Sequence, residues 1–302
     1  MTTPPSGQVL LEMDRGEHIA RLTIDNPARR NAYDPTMRRR MDEYLDEVAD
    51  DDAIKVLILR GSDGVFTTGA DMANAYNWYD SSSEGSAGGS AGGSEAPRRR
   101  PSQRRRLAVD RESFGFYHNF LTFPKVTISQ VETYALGGGF ELALMSDLAV
   151  VGRHAKLGMP GAQLLGPALG NLHLFFHRLG PVLSRRLLFT GESIAAAEIE
   201  HLGLFTEVCD DENVARRTEH WAARVTRMPA DGLAIAKTGF NLVEQTQSYI
   251  GEEATGFLMH AFATNLRFEE DEFNFVKTRA KHGTGGAFKL RDEHFAVPDE
   301  DA

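Results

Sequence analysis

The chain has 302 residues, 41% hydrophobic and 25% charged, the balance of an ordinary soluble globular protein long enough to bury a sizeable core. Its formal net charge of −10 argues against nucleic-acid binding across the whole surface, and the absence of a run of about eighteen apolar residues argues against a membrane-spanning helix. Met1–Gly7 lacks the basic and apolar segments of a secretory signal, and the single cysteine, Cys209, excludes an internal disulfide; both fit a cytoplasmic protein.

Val9–Met13 and Ile19–Ile24 are β-rich runs around Asp14-Arg15-Gly16-Glu17, the pattern of a hairpin. Pro35 opens a helix predicted to run to about Asp50, with Met37, Met41, Tyr44, Leu45 and Val48 on one face. Ile54–Leu59 reads as a buried strand closed by Gly61, and Val126–Val131 as another, followed by a glycine cluster and an apolar stretch. Strand-rich and helical segments alternate through the first two thirds, which predicts an α/β fold. From about Asp210 the patterns are helical, placing a boundary near Phe205 between a core (residues 1–205) and a helical C-terminal subdomain (206–302). Cys209 lies among Glu207, Asp210 and Asp211, which would raise a thiol pKa, so it reads as structural.

The Gly/Ser-rich stretch Ser81–Ser94 cannot bury enough apolar surface to offset its ordering entropy. It is expected to be the centre of a mobile insertion at 78–106, ending in six arginines between Arg98 and Arg106.

Two segments carry the chemistry. Gly64-Val65-Phe66-Thr67-Thr68-Gly69-Ala70-Asp71-Met72 follows one strand, and Tyr134–Leu144, with Gly137, Gly138 and Gly139, follows another. Each sets small residues between a strand and a helix, where the first backbone N–H groups have no intrahelical acceptor. Two such donors converging on one oxygen would stabilise an enolate or tetrahedral oxyanion. A glycine triplet alone is a weak signal, since tight turns and close packing explain most of them.

The combination is more specific. Asn26-Pro27-Ala28-Arg29-Arg30-Asn31-Ala32, Phe66–Asp71, Tyr134–Asp147, Leu188–Glu192 and Ala195–Leu204 resemble, in order, the sequence blocks of the crotonase (enoyl-CoA hydratase/isomerase) superfamily. The resemblance implies a crotonase-like spiral of ββα repeats, an acyl-CoA thioester as ligand, and trimers or pairs of trimers built with C-terminal helices. It implies no cofactor beyond the coenzyme A of the substrate, no metal and no membrane. Carried over by position, Ala70 and Gly138 would donate the oxyanion-hole N–H groups. Asn31, Ala32, Ala70, Asp71, Met72, Ala73 and Gly138 would line the CoA path, although local turn capping explains the side chains of Asn31 and Asp71 equally well. Asp147 is expected to be structural.

Glu141 matches the first of the two glutamates of the hydratase pattern; one turn into an apolar helix, its pKa should rise into an acid/base range. The second glutamate is missing. The block reads Leu157-Gly158-Met159-Pro160-Gly161-Ala162, with Gly161 or Ala162 at its place, and no Asp or Glu lies between Leu148 and Gly191. Polar candidates nearby are Gln163, Asn171, His173 and His177. Tyr117 and His118 are within reach of an acyl pocket, although packing is the simpler reading for both. The arginine run reads as a clamp for CoA phosphates, as a nucleic-acid contact, or as a solvated loop and helix start facing acidic surface, the last being favoured. Hydration or dehydration of an enoyl-CoA leads the functional readings. Thioester hydrolysis, C–C cleavage and a non-catalytic CoA-binding oligomer stand as alternatives.

Overall fold

The computed structural model describes residues 7–72, 102–166, 171–247 and 271–296, together with Leu258, His260, Phe268 and Glu269. The predicted hairpin is present: β1 (Gln8–Asp14) and β2 (Ile19–Asp25) pair antiparallel, Asp14 opposite Ile19. The Asp14 carboxylate accepts from the N–H groups of Gly16 and Glu17 at 2.9 Å each, closing the turn. Helix α1 (Pro35–Asp50) begins where Asp34 accepts from the Met37 N–H at 2.8 Å, and buries Met37, Met41, Leu45 and Val48. Strand β3 (Val56–Gly61) is covered on both faces, as a near-continuous apolar run in a parallel sheet should be.

The chain continues through α2 (Gln103–Leu121), β4 (Val126–Val131), β5 (Tyr134–Leu136), α3 (Gly138–Met145), β6 (Leu148–Gly152), β7 (Lys156–Gly158), α4 (Ala162–Leu165), α5 (Leu172–Thr190), β8 (Ser193–Ala195), α6 (Ala196–Ile199), β9 (Glu207–Cys209), α7 (Val214–Val225), α8 (Ala230–Thr246) and α9 (Phe275–Phe295). One sheet has the order β1-β2-β3-β4-β6-β9, parallel except at the hairpin; the other has the order β5-β7-β8. Strand is therefore followed by turn and helix at β5–α3, the geometry that the site needs.

Two expectations change. The sheet continues past Phe205: β9 pairs with β6, and α7 packs Ala222 against Ile19, Val56, Ile58 and Ile128. A three-residue strand is too short to show a period, so the helical pattern after Asp210 hid that α7 belongs to the sheet's packing. The insertion expected at 78–106 falls mostly outside the described residues, but Gln103–Arg106 form the first turn of α2. The Ser102 hydroxyl caps that turn by accepting from the Arg105 N–H at 3.2 Å. Arg106 is buried, not solvated, because the phase of α2 puts it on the inward stripe with Asp110 and Phe114. Among the described residues no helix is long and apolar enough to cross a membrane.

Candidate active site

Two short parallel bridges bring the chemistry-bearing loops together. Thr67 pairs with Ala135, through Thr67 N–H to Tyr134 O at 3.0 Å and Leu136 N–H to Thr67 O at 3.2 Å. Tyr33 pairs with Ala70, through Tyr33 N–H to Gly69 O and Asp71 N–H to Tyr33 O, both 2.9 Å. The bridge uses the groups flanking Ala70, so the N–H of Ala70 itself points away from Tyr33. Gly69 (φ 82°) packs so tightly on the second loop that a Cβ there would lie 2.8 Å from the Gly138 nitrogen. Gly138 is the first residue of α3, where an N–H has no intrahelical acceptor. Among the described residues, neither the Ala70 nor the Gly138 N–H has a hydrogen-bond acceptor.

Ala70 and Gly138 line one cavity of about 700 Å³, together with Glu141, Tyr117, Asn171 and Gly161. The glycine triplet partly serves protein packing here. A Cβ on Gly138 would sit 2.2 Å from both the Tyr33 and the Tyr117 hydroxyl, and one on Gly139 would strike Thr67. The two hydroxyls share a hydrogen bond of 2.7 Å, and burial holds both phenols well above their ordinary pKa, so they stay protonated.

Glu141 is 3% exposed, and its Oε1 accepts from the backbone N–H of Asn171 at 2.6 Å and from Asn171 Nδ2 at 3.0 Å. Burial raises its pKa; the Asn171 donors and the nearby charge of His260 act against the rise. Gly161, not Ala162, reaches the cavity at the place of the missing acid.

The other predicted residues separate into two groups. Ala32, Ala70, Asp71 and Met72 line the cavity beside Ala28, Arg29 and Arg30, and the Asp71 carboxylate is held by Arg29 Nη1 at 2.9 and 2.8 Å. Asn31 does not line it. Its side chain is fully buried, accepting from Asn26 N–H (2.8 Å) and donating to Ser62 O (2.9 Å) and Val65 O (2.6 Å), so it staples two loops. Ala73 lies outside the described residues. Asp147 is structural: it accepts from Thr127 and from Lys237 Nζ, at 2.5 and 2.6 Å for the lysine. Gln163 donates to Thr190 O at 2.8 Å, away from the cavity, and of the two α5 histidines His173 is buried while His177 is exposed. Cys209 is half-buried, and burial followed by Glu207 raises its thiol pKa.

Sequence reasoning missed Asp110 and His260, both of which line the cavity. Asp110 had a readable signal: an acid at helical spacing from Arg106 and Phe114, on the stripe that α2 turns inward. His260 had a weaker one, a lone histidine within the apolar stretch Gly256–Ala263. Among the described residues, no three His, Cys, Asp or Glu side chains converge as a metal site.

The fold is that of the crotonases. It superposes on a crystal structure of an enoyl-CoA hydratase/isomerase from Xanthobacter autotrophicus Py2 with a TM-score of 0.80, at 20% identity, over 97% of this chain and 100% of that one. Among curated proteins, the chain is 26% identical to a 2,3-dehydroadipyl-CoA hydratase of Escherichia coli (strain K12), over 86% of its own length and 92% of the relative's. It is 27% identical to a 1,2-epoxyphenylacetyl-CoA isomerase of the same organism, over 78% and 82% respectively. A model of the enoyl-CoA hydratase/isomerase family matches residues 14–89 and 90–283, and the chain belongs to that family.

Proposed function

We propose that the protein acts on acyl-CoA thioesters, with the N–H groups of Ala70 and Gly138 holding the thioester oxygen and Glu141 moving protons at the acyl chain. The observation that carries this reading is one cavity shared by two main-chain amides from bridged loops and a buried carboxyl. Hydration of an enoyl-CoA, or its reverse, is the reaction best supported, since a relative named as a hydratase covers most of the chain. Water loses a proton to the Glu141 carboxylate as its oxygen bonds to C3. The π electrons move onto the thioester oxygen, where each amide donor contributes about 3–4 kcal/mol to the enolate-like transition state. Protonation at C2 then restores the thioester. Asn171 fixes the Glu141 carboxylate for this task with two donors, at 2.6 and 3.0 Å. No cofactor beyond the substrate's own coenzyme A enters.

The CoA portion runs past Ala28, Ala32, Asp71 and Met72, with Arg29 and Arg30 beside it for the phosphates. A homotrimer or dimer of trimers fits the apolar surface of α8, where Ile235, Phe240, Leu242 and Val243 are 55–73% exposed. The test is mass spectrometry of the purified protein with mixed enoyl-, 3-hydroxy- and cyclic 3-oxoacyl-CoAs. Products shifted by one water support hydration; split products replace it with hydrolysis or C–C cleavage; and bound but unchanged acyl-CoAs replace it with a non-catalytic binder.

A further inference from the structure

We propose that His260, positioned by Asp110, is the second proton-handling group of this cavity, working opposite Glu141 in the absence of an acid at Gly161. The proposal rests on the acyl-CoA reading above and deepens it by naming the group that protonates C2.

Five carboxyl or imidazole side chains among the described residues line the cavity: Asp71, Asp110, Glu141, His260 and Asp292. Asp71 is held by Arg29 and Asp292 by Arg291. Asp110 comes from α2 and is 1% exposed, whereas the His260 side chain is 22% exposed. The Asp110 Oδ1 lies 3.3 Å from His260 Nδ1, and the ring packs edge-on to Phe114 at 5.6 Å between centroids. An ion-pair contact at Nδ1, outside hydrogen-bond geometry, and an aromatic edge against the ring hold the imidazole on two sides, and Nε2 is assigned as the nitrogen that meets a substrate. This is the division of labour seen wherever a buried acid orients a catalytic histidine. Glu141 and His260 line the same cavity, which places the two groups around one space. Tyr117 also lines that space, but burial keeps its phenol protonated, so it cannot cycle a proton at ordinary pH. The other charged side chains of the cavity wall are Arg29, Arg30, Arg38 and Arg291, none of which can give up a proton, and the carboxylates of Asp71 and Asp292.

The proton count closes. Glu141 takes a proton from water as the O–C3 bond forms, and the electron pair rests on the thioester oxygen. The His260 imidazolium gives its Nε2 proton to C2, and the thioester C=O reforms. Solvent then carries the proton from Glu141 back to His260. One water has been added, and nothing has been oxidised or reduced. Glu141 must be ionised for this cycle, so turnover falls on the acid side as Glu141 takes up a proton.

The experiment follows hydration of straight-chain trans-2-enoyl-CoAs by the full-length chain, through loss of the conjugated thioester absorbance, across pH. His260→Gln should lower kcat by about 10²–10⁴-fold with KM little changed. Asp110→Asn should lower kcat less, with KM little changed, and Asp110→Glu should restore part of the loss, a rescue that a purely structural role would not produce. Because either variant risks misfolding, His260→Ala is assayed with added imidazole, and partial rescue supports the proposal independently. A His260→Gln enzyme within about threefold of wild-type kcat overturns the proposal while leaving the acyl-CoA reading intact. Wild-type protein that neither binds nor converts any acyl-CoA overturns both.

Discussion

Glutamine at position 141 is nearly isosteric with glutamate and keeps an oxygen for both Asn171 donors, so Glu141→Gln removes the proton-transfer capacity and the buried charge with little disturbance of packing. For catalysis, losing a positioned base costs about 10²–10⁴-fold in kcat, or about 3–5 kcal/mol of barrier. For stability, the sign is opposite. Burial raises the Glu141 pKa above its ordinary 4.5, so the fold favours the protonated form. The stabilisation from that preference is complete below pH 4.5 and is lost as pH rises through the shifted value. Glu141→Gln should therefore melt at a higher temperature than wild type at pH 7, with the difference vanishing below pH 4.5. Calorimetric melts at both pH values, paired with enoyl-CoA turnover, check both halves. A variant that keeps wild-type turnover, or that melts lower than wild type at neutral pH, refutes the reasoning.

Asn171→Ala deletes the side-chain donor to Glu141 but keeps the backbone one, a loss of about 1.5–3 kcal/mol for a hydrogen bond to a charged group. The Glu141 pKa should rise further and the acid limb of the pH–rate profile should move up. Gly138→Ala puts a Cβ 2.2 Å from two tyrosine hydroxyls, so denaturant unfolding should show overpacking of about 1–3 kcal/mol together with a fall in kcat. Lys237→Met strands Asp147 without its ammonium partner and should cost about 3 kcal/mol of stability, while kcat and KM of the folded enzyme stay at wild-type values.

Where pattern is local, the sequence is legible. The stripe of α1 from Met37 to Val48, the hairpin around Gly16 and the β4 run each satisfy a period over enough residues to be read, and α1 and β4 keep their predicted bounds. The three-residue strands β5, β7, β8 and β9 carry no period, so the second sheet and the last strand of the first were beyond reading. The catalytic half of the cavity shows the same divide. Ala70, Gly138 and Glu141 belong to two compact motifs that resemble crotonase blocks, and that resemblance implies their meeting; the missing acid at Gly161 was visible as an absence. Asp110 and His260 meet only through the packing of α2 against the C-terminal region, which no local spacing encodes. Arg106 misled for a related reason: a run of arginines looks solvent-facing until the helix phase turns one of them inward. Asn31 sits within a motif, yet its side chain spends every polar atom on the protein.

Vibrational spectroscopy tests the oxyanion reading most directly. In isotope-edited infrared spectra of a ¹³C-labelled thioester carbonyl bound to the wild-type protein, two convergent amide donors would polarise the bond. The stretch should shift to lower frequency than in water and narrow. A bound carbonyl that absorbs at or above its solution frequency would contradict the account, because no pair of N–H groups would then be aimed at it.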